Sequence, residues 1–191
     1  MSGRYAFVDE SYVARTQHYL LAAAVVVRED VLDDVRASVR AVRRRRRDAF
    51  HWHGEFDRSR TAMLELIAAT SDLQVVVVSR PVPPRRQERA RARCTESLLA
   101  QLQVLHPPVH DVVFESRTDV LDRRDGARTE GLRASMRIGP GLRFSFATKA
   151  EPLLWIADAV AGAESARVGG DERYAQALDD RLIRIDIPGV P

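Results

Sequence analysis

Cysteine, lysine and long apolar runs are all scarce in this sequence. Cys94 is the only cysteine, so the chain forms no internal disulfide and offers no second thiol for a cysteine-based zinc site. The longest apolar run, YLLAAAVVV at 19–27, is about half the ~20 residues that cross a membrane. The N-terminus has no basic start followed by an apolar stretch, unlike a secretory signal. We therefore expect a soluble, cytoplasmic protein without a membrane partner.

The remaining composition is that of a folded globular chain. Its 191 residues are 45% hydrophobic and 30% charged, which suits a single domain over residues 1–191. The net charge is +3, and basic residues are concentrated in two arginine-rich stretches, 43–47 and 85–93. Such stretches either contact the phosphates of a nucleic acid or form a solvated helix face. Nucleic acid is the predicted partner, and the oligomeric state is left open.

The hydrophobic pattern predicts an α/β fold. Some segments are β-branched and apolar, whereas in others the apolar residues recur at the three- and four-residue steps of amphipathic helices. We predict strands over 4–10, 18–27, 73–79, 109–116 and 142–148, and helices over 29–47, 59–70, 85–105, part of 117–136, 151–169 and 171–183. The first two strands form a predicted hairpin, and the third is expected to be buried on both faces. The expected fold is a mixed five-stranded sheet flanked by helices.

Three acidic residues interrupt apolar segments, where a carboxylate is costly unless it has a partner. Asp9 follows YAFV, Glu115 follows DVVF, and Asp158 lies within LLWIADAVAGA. A divalent cation is a natural partner, because hard ions such as Mg²⁺ take carboxylate oxygens from several elements. Each acid also has a simpler interpretation: Asp9 ends a strand, Glu115 pairs with Arg117, and Asp158 faces solvent.

Three motifs resemble the domain-of-unknown-function family numbered 3800. They are FVDES at 7–11, FESRTDVLDRRD at 114–125 and PLLWIADAVAGA at 152–163, and together they extend the resemblance over most of the chain. In that family the first motif more often reads DESG, and here Tyr12 stands in place of the glycine. The resemblance implies a ribonuclease H-like fold.

The resemblance also implies a metal-dependent active site. Asp9, Glu115 and Asp158 would converge as ligands of Mg²⁺ or Mn²⁺, with Asp9 bridging two ions and Glu10 as a possible fourth acid. In folds of this class, two metal ions held by such acids promote phosphodiester cleavage. The implied activity is that of a nuclease.

Other residues near these motifs are candidates for substrate binding or catalysis. Lys149, the only lysine, either contacts a scissile phosphate or balances the acids, and Arg117 either meets phosphate or forms a plain salt bridge. His51 and His53, in FHWHGEFD, bind substrate or simply face solvent in a packed loop. Ser11, from FVDES, joins the substrate-binding candidates.

Two hypotheses follow from these residues. The first is a Mg²⁺- or Mn²⁺-dependent nuclease that uses Asp9, Glu115 and Asp158, with Glu10 and Lys149 as further catalytic candidates. The second is a non-catalytic module of the same fold that binds nucleic acid or protein, for example in phage defence or a mobile element. The choice among DNA, RNA and hybrid substrates is left open.

Overall fold

The computed structural model describes residues 3–43 and 48–190. Its strands are β1 (Arg4–Val13), β2 (His18–Arg28), β3 (Gln74–Arg80), β4 (Asp111–Glu115), β5 (Arg143–Ala147) and β6 (Leu182–Pro188). Its α-helices are α1 (Leu32–Val42), α2 (Asp57–Thr70), α3 (Gln87–Gln103), α4 (Asp119–Ala134) and α5 (Leu153–Val168). Apart from Arg43, the predicted arginine contact at 43–47 lies outside the described residues.

The strands form one mixed sheet in the order β5-β4-β1-β2-β3-β6. β2 is antiparallel to β1 and to β3, whereas β4 and β5 extend the sheet parallel to β1, and β6 is parallel to β3. Every strand except β2 therefore ends at the same end of the sheet. The predicted α/β class and the opening hairpin are confirmed, and β3 is buried from Gln74 to Ser79 as its valine run predicts.

The prediction of five strands is wrong, because β6 adds a sixth. Instead of a helix over 171–183, the structure has a 3₁₀ turn at Ala175–Arg181 followed directly by β6. The sequence of β6 alternates isoleucine with charged residues, as a strand should. Ile183 and Ile185 pack on one core, whereas Arg184 bonds Glu164 on the other face. The short strand was hidden by the helical spacing of the residues before it.

Two hydrophobic cores lie on opposite faces of the sheet. On the face that we call the α5 face, α5 packs on β1 and β2, with α1 and α2 against it. On the other, the α3 face, α3 packs on β2 and β3 with α4 beside it. Residues of β1 alternate between the two cores: Phe7 belongs to the α5 face, and Val8 to the α3 face. The same alternation separates Asp9 from Glu10.

Helix α5 is buried on nearly every side, as its apolar sequence predicts. Trp52, in the 3₁₀ turn Trp52–Gly54, packs so closely on α5 that a Cβ atom at Gly162 would lie 2.1 Å from the indole ring. Glycine is therefore required at that position. Despite the apolar character of α5, none of the helices in residues 3–43 and 48–190 is long and apolar enough to cross a membrane.

Candidate active site

The three predicted acids meet at the end of the sheet where the parallel strands finish. Val8 of β1 pairs with Phe114 of β4, so Asp9 and Glu115 occupy the next positions on neighbouring strands. Asp158 lies in α5, which packs across β1. Asp9 is only 7% exposed. The fold therefore brings together residues that are up to 149 positions apart in the sequence.

A single ammonium group joins the three carboxylates. Nζ of Lys149 lies 3.5 Å from Oδ2 of Asp9, 3.5 Å from Oε2 of Glu115 and 3.1 Å from Oδ2 of Asp158. Any two of these oxygens are thus separated by at most twice 3.5 Å. We call Asp9, Glu115 and Asp158 the carboxylate cluster, with Lys149 at its centre.

Two tryptophans hold the cluster in place. The backbone N–H of Trp52 donates to Oδ2 of Asp158 at 3.2 Å, and Nε1 of Trp155 donates to the carbonyl oxygen of Lys149 at 2.8 Å. Nδ1 of His51 lies 3.1 Å from Nζ of Lys149, and the histidine itself is exposed. His51 therefore forms the solvent-exposed side of the cluster.

Burial and crowding change the proton affinity of the cluster. The pKa of Asp9 is raised well above its ordinary value, first by burial and then by a hydrogen bond with Glu115, and nearby Lys149 only partly offsets this. Burial alone would lower the pKa of Lys149, but the three carboxylates together raise it. Two basic side chains of the described part of the chain lie beside the three acids: Lys149 pairs with all three, and Nδ1 of His51 lies 3.9 Å from Oδ2 of Asp158 and carries charge only when the imidazole is protonated. With all three ionised, two negative charges are left over.

The donor chemistry of the cluster fits a hard divalent cation, although its present arrangement is built around the lysine. Carboxylate oxygens are the ligands that Mg²⁺ and Mn²⁺ prefer, at about 2.0–2.2 Å. Among residues 3–43 and 48–190, no three His, Cys, Asp or Glu side chains are yet set at metal-ligand geometry. The ammonium group of Lys149 lies where the oxygens converge. A metal ion would therefore have to displace it.

Glu10 is not brought to the carboxylate cluster. It points to the α3 face, where Tyr19 and Arg91 both donate to its Oε2. Arg91 is 3% exposed and also donates from Nε to Asp125 at 2.8 Å. Glu10 is thus a member of a buried ion network, which the alternation of β1 imposes because consecutive side chains face opposite sides.

Arg117 belongs to the same network. Its guanidinium donates to Glu88 at 2.5 Å and to Asp125 at 2.8 Å. The salt bridge that the sequence left open is therefore present, but its partners are on α3 and α4 and not at Glu115. A cavity of about 130 Å³ nevertheless connects the two sets of charges, since it is lined by Val8, Asp9, Glu10, Arg91, Glu115 and Arg117.

The two remaining substrate-binding candidates lie outside the cluster. Ser11 accepts a hydrogen bond from Ser165 of α5 at 2.8 Å, which ties β1 to that helix. His53 is exposed on the turn Trp52–Gly54, whereas Lys149 bonds His51 and Asp158. Of the loop candidates, only His51 lies beside the cluster.

No protein-family model matches this chain, and neither does any curated protein. The resemblance to the domain-of-unknown-function family therefore stays a prediction.

Sequence reasoning missed the residues that support the cluster. Trp52 was not among the predicted site residues, but its backbone N–H donates to Asp158. A signal for this contact was present, because Gly162 lies one helical turn after Asp158, where a helix-interior glycine indicates the close approach of another group. Arg91 was treated as part of a charge run, and no local pattern distinguishes it from its exposed neighbours.

Proposed function

We propose that this chain is a Mg²⁺- or Mn²⁺-dependent phosphodiesterase that cleaves nucleic acid, and that its fold is of the ribonuclease H-like type. The strand arrangement supports the fold: an antiparallel series β1-β2-β3 is followed by β4 and β5, added parallel on the other side of β1. β6 is an addition to that plan. Fold alone says nothing about chemistry.

The activity rests on one observation, the convergence of three carboxylates on a single point with one lysine among them. Three ionised acids exceed the charge of one ammonium by two, which is the charge of a divalent cation. Desolvation makes such an excess costly, as the raised pKa of Asp9 indicates. Groups held in this way toward the carboxyl ends of β1 and β4, two parallel neighbours in a mixed sheet, suit ligand binding better than they suit stability.

Asp9, Glu115 and Asp158 would hold the metal in this proposal. A metal held by these three carboxylates would supply charge neutralisation at the leaving oxygen and a lowered pKa for the attacking water. Because the ammonium group of Lys149, already 3.1 Å from Nδ1 of His51, lies where the three carboxylates converge, it would leave that point if a metal were bound and would then be available to a phosphate oxygen of the substrate. The N–H of Trp52 keeps the Asp158 carboxylate oriented throughout.

The experiment that tests this activity compares cleavage of labelled single-stranded, duplex and hybrid substrates with Mg²⁺, with Mn²⁺ and with EDTA. Asp9→Asn and Asp158→Asn should each reduce metal-dependent cleavage by at least about 100-fold, because each removes a charged ligand. The matched control is Asp34→Asn, which removes an exposed carboxylate of α1 and should leave the rate unchanged. Cleavage that survives both cluster variants, or that persists in EDTA, would refute the proposal.

A second candidate is a non-catalytic module that binds nucleic acid or protein, as in phage defence or a mobile element. The position of Lys149 favours it, because the ammonium group already bonds Asp158 and neutralises part of the cluster. This candidate predicts nucleic-acid or protein binding that is unchanged by Mn²⁺, no cleavage of any substrate, and no shift in Tm when metal is added.

A further inference from the structure

The arginine-rich stretch 85–93 is divided by the structure into two groups with different roles. Arg91 is buried in the network with Glu10, and Arg93 donates to the carbonyl oxygen of Gly189 at 2.9 Å. Arg85, Arg86 and Arg89 are instead exposed, as is Arg80 at the end of β3. Within the described residues, none of these four exposed arginines forms an ion pair with a carboxylate. We call Arg80, Arg85, Arg86 and Arg89 the arginine ridge.

The arginine ridge lies at the same end of the sheet as the carboxylate cluster. β3 is parallel to β1, because both are antiparallel to β2, so Arg80 is at the end where Asp9 lies. The first turn of α3 is joined through Glu88 to Arg117, which follows Glu115 by two residues and belongs to the ion network of the α3 face. β3 lies about 10 Å from β1 across the sheet, and because Asp9 is level with Ala22 and Val76, Arg80 lies a further four residues, or about 13 Å, along the strand direction. A nucleic-acid strand is long enough to contact both places.

The turn that holds the arginine ridge is fixed at several points. Tyr12, the residue in place of the family's glycine, donates from its hydroxyl to the carbonyl oxygen of Val82 at 2.9 Å. The N–H of Val82 donates to Gln17 at 2.8 Å, and the N–H of Val190 donates to Pro81 at 3.1 Å. The exposed guanidiniums therefore project from an ordered turn, which reduces the entropy lost on binding.

Charge explains why a substrate would need the arginine ridge. The carboxylate cluster repels a polyanion, so the backbone must be held by cations nearby. Arginine is well suited to this because its planar guanidinium donates to two phosphate oxygens at once. We infer that Arg80, Arg85, Arg86 and Arg89 bind the sugar-phosphate backbone of the nucleic acid whose cleavage is proposed above. This inference rests on the proposed function only for the class of ligand.

The test measures binding in EDTA, so that it is independent of cleavage. Fluorescence anisotropy gives the Kd of a labelled 20-base-pair DNA duplex at several salt concentrations, for the wild-type chain and for Arg85→Gln/Arg86→Gln. Two lost phosphate contacts should lower the slope of log K against log salt by about 1.8 and weaken binding at least tenfold at about 0.1 M salt. Adding Arg89→Gln should weaken binding further.

The matched control is Arg28→Gln/Arg143→Gln. These two arginines are exposed at the opposite end of the sheet, in surface pairs with Asp30 and Asp111, and their loss changes the net charge by the same amount. Binding and slope should stay close to wild type. If both double variants weakened duplex binding equally, the inference would be overturned. It would also be overturned if the wild-type chain did not bind the duplex, or if a parallel measurement showed that it binds anionic vesicles more tightly than the duplex.

The two proposals can fail separately. Binding that depends on the arginine ridge without any metal-dependent cleavage would support this surface and refute the nuclease. Cleavage with no effect of Arg85→Gln/Arg86→Gln on duplex binding would support the nuclease and refute this surface.

Discussion

Asp9 and Glu10 are neighbours on β1, but their carboxylates lie in opposite electrostatic surroundings. On the α3 face, three carboxylates meet three guanidiniums: Glu10, Glu88 and Asp125 with Arg91, Arg117 and Arg128. On the α5 face, the three acids of the carboxylate cluster meet one permanent cation, Lys149, and His51, which lies 3.9 Å from Asp158, adds a charge only when it is protonated. The first set is balanced, and the second is not.

The balance of charge distinguishes a structural ion network from a binding site. A balanced buried network leaves no charge for a ligand to neutralise. Removing one member leaves the remaining charges buried without the partner that compensated for their desolvation. An unbalanced cluster is costly in the free protein and is relieved by a cation. Charge balance, more than the number of acids, identifies the site.

Removing an arginine from the balanced network of the α3 face should change the stability of the protein more than any other variant considered below. Arg91→Met leaves Glu10 and Asp125 with one cation fewer in a buried setting, so we expect the free energy of unfolding to fall by about 3 kcal/mol. Urea unfolding measures this loss. Arg28→Met, which removes an arginine from an exposed pair with Asp30, should cost less than about 1 kcal/mol. A loss of similar size in both variants would contradict the comparison.

Removing the single cation of the unbalanced side should increase metal affinity. Lys149→Met takes away the ammonium group that competes for the three carboxylates, so Mn²⁺ should bind about tenfold more tightly, or about 1.4 kcal/mol. Isothermal titration calorimetry gives the Kd. Lys149→Arg keeps the positive charge and should remain near wild type. Weaker binding by Lys149→Met would mean that the lysine does not occupy the place of a metal.

Neutralising Asp9 should raise stability slightly at neutral pH. Burial first, and then the hydrogen bond with Glu115, raises the folded pKa of Asp9 above its unfolded value. Its contribution to stability is therefore fully present below the unfolded pKa, near 3.9, and is lost as pH rises through the folded pKa. Asp9→Asn should be more stable than wild type by on the order of 1 kcal/mol at pH 7, or about 2–4 °C in Tm.

The pH dependence is the check on that prediction. The advantage of Asp9→Asn in thermal unfolding should shrink as pH falls and should vanish below about pH 4. The exposed control Asp34→Asn should show no such gain. An Asp9→Asn variant that is less stable than wild type at pH 7 would show that the Asp9 carboxylate is satisfied by Lys149.

Much of the fold follows from local periodicity, and what was missed is non-local or ambiguous. The valines of β3 and the apolar residues of α5 predicted a strand and a helix at those places, and the three acids stood out because they interrupt apolar segments. The opposite orientation of Glu10 was also readable, since consecutive strand residues alternate. The partner of Arg117 could not be predicted from local sequence, because Glu88 lies 29 residues away. The central position of Lys149 likewise depends on tertiary packing alone.

The chain has two tryptophans, and both contact the carboxylate cluster, Trp52 through its N–H to Asp158 and Trp155 through its indole to Lys149. Intrinsic fluorescence is therefore a label-free reporter of this one place in the molecule. With excitation at wavelengths that the four tyrosines do not absorb, a change in emission during a titration can be assigned to the two tryptophans without labelling the protein.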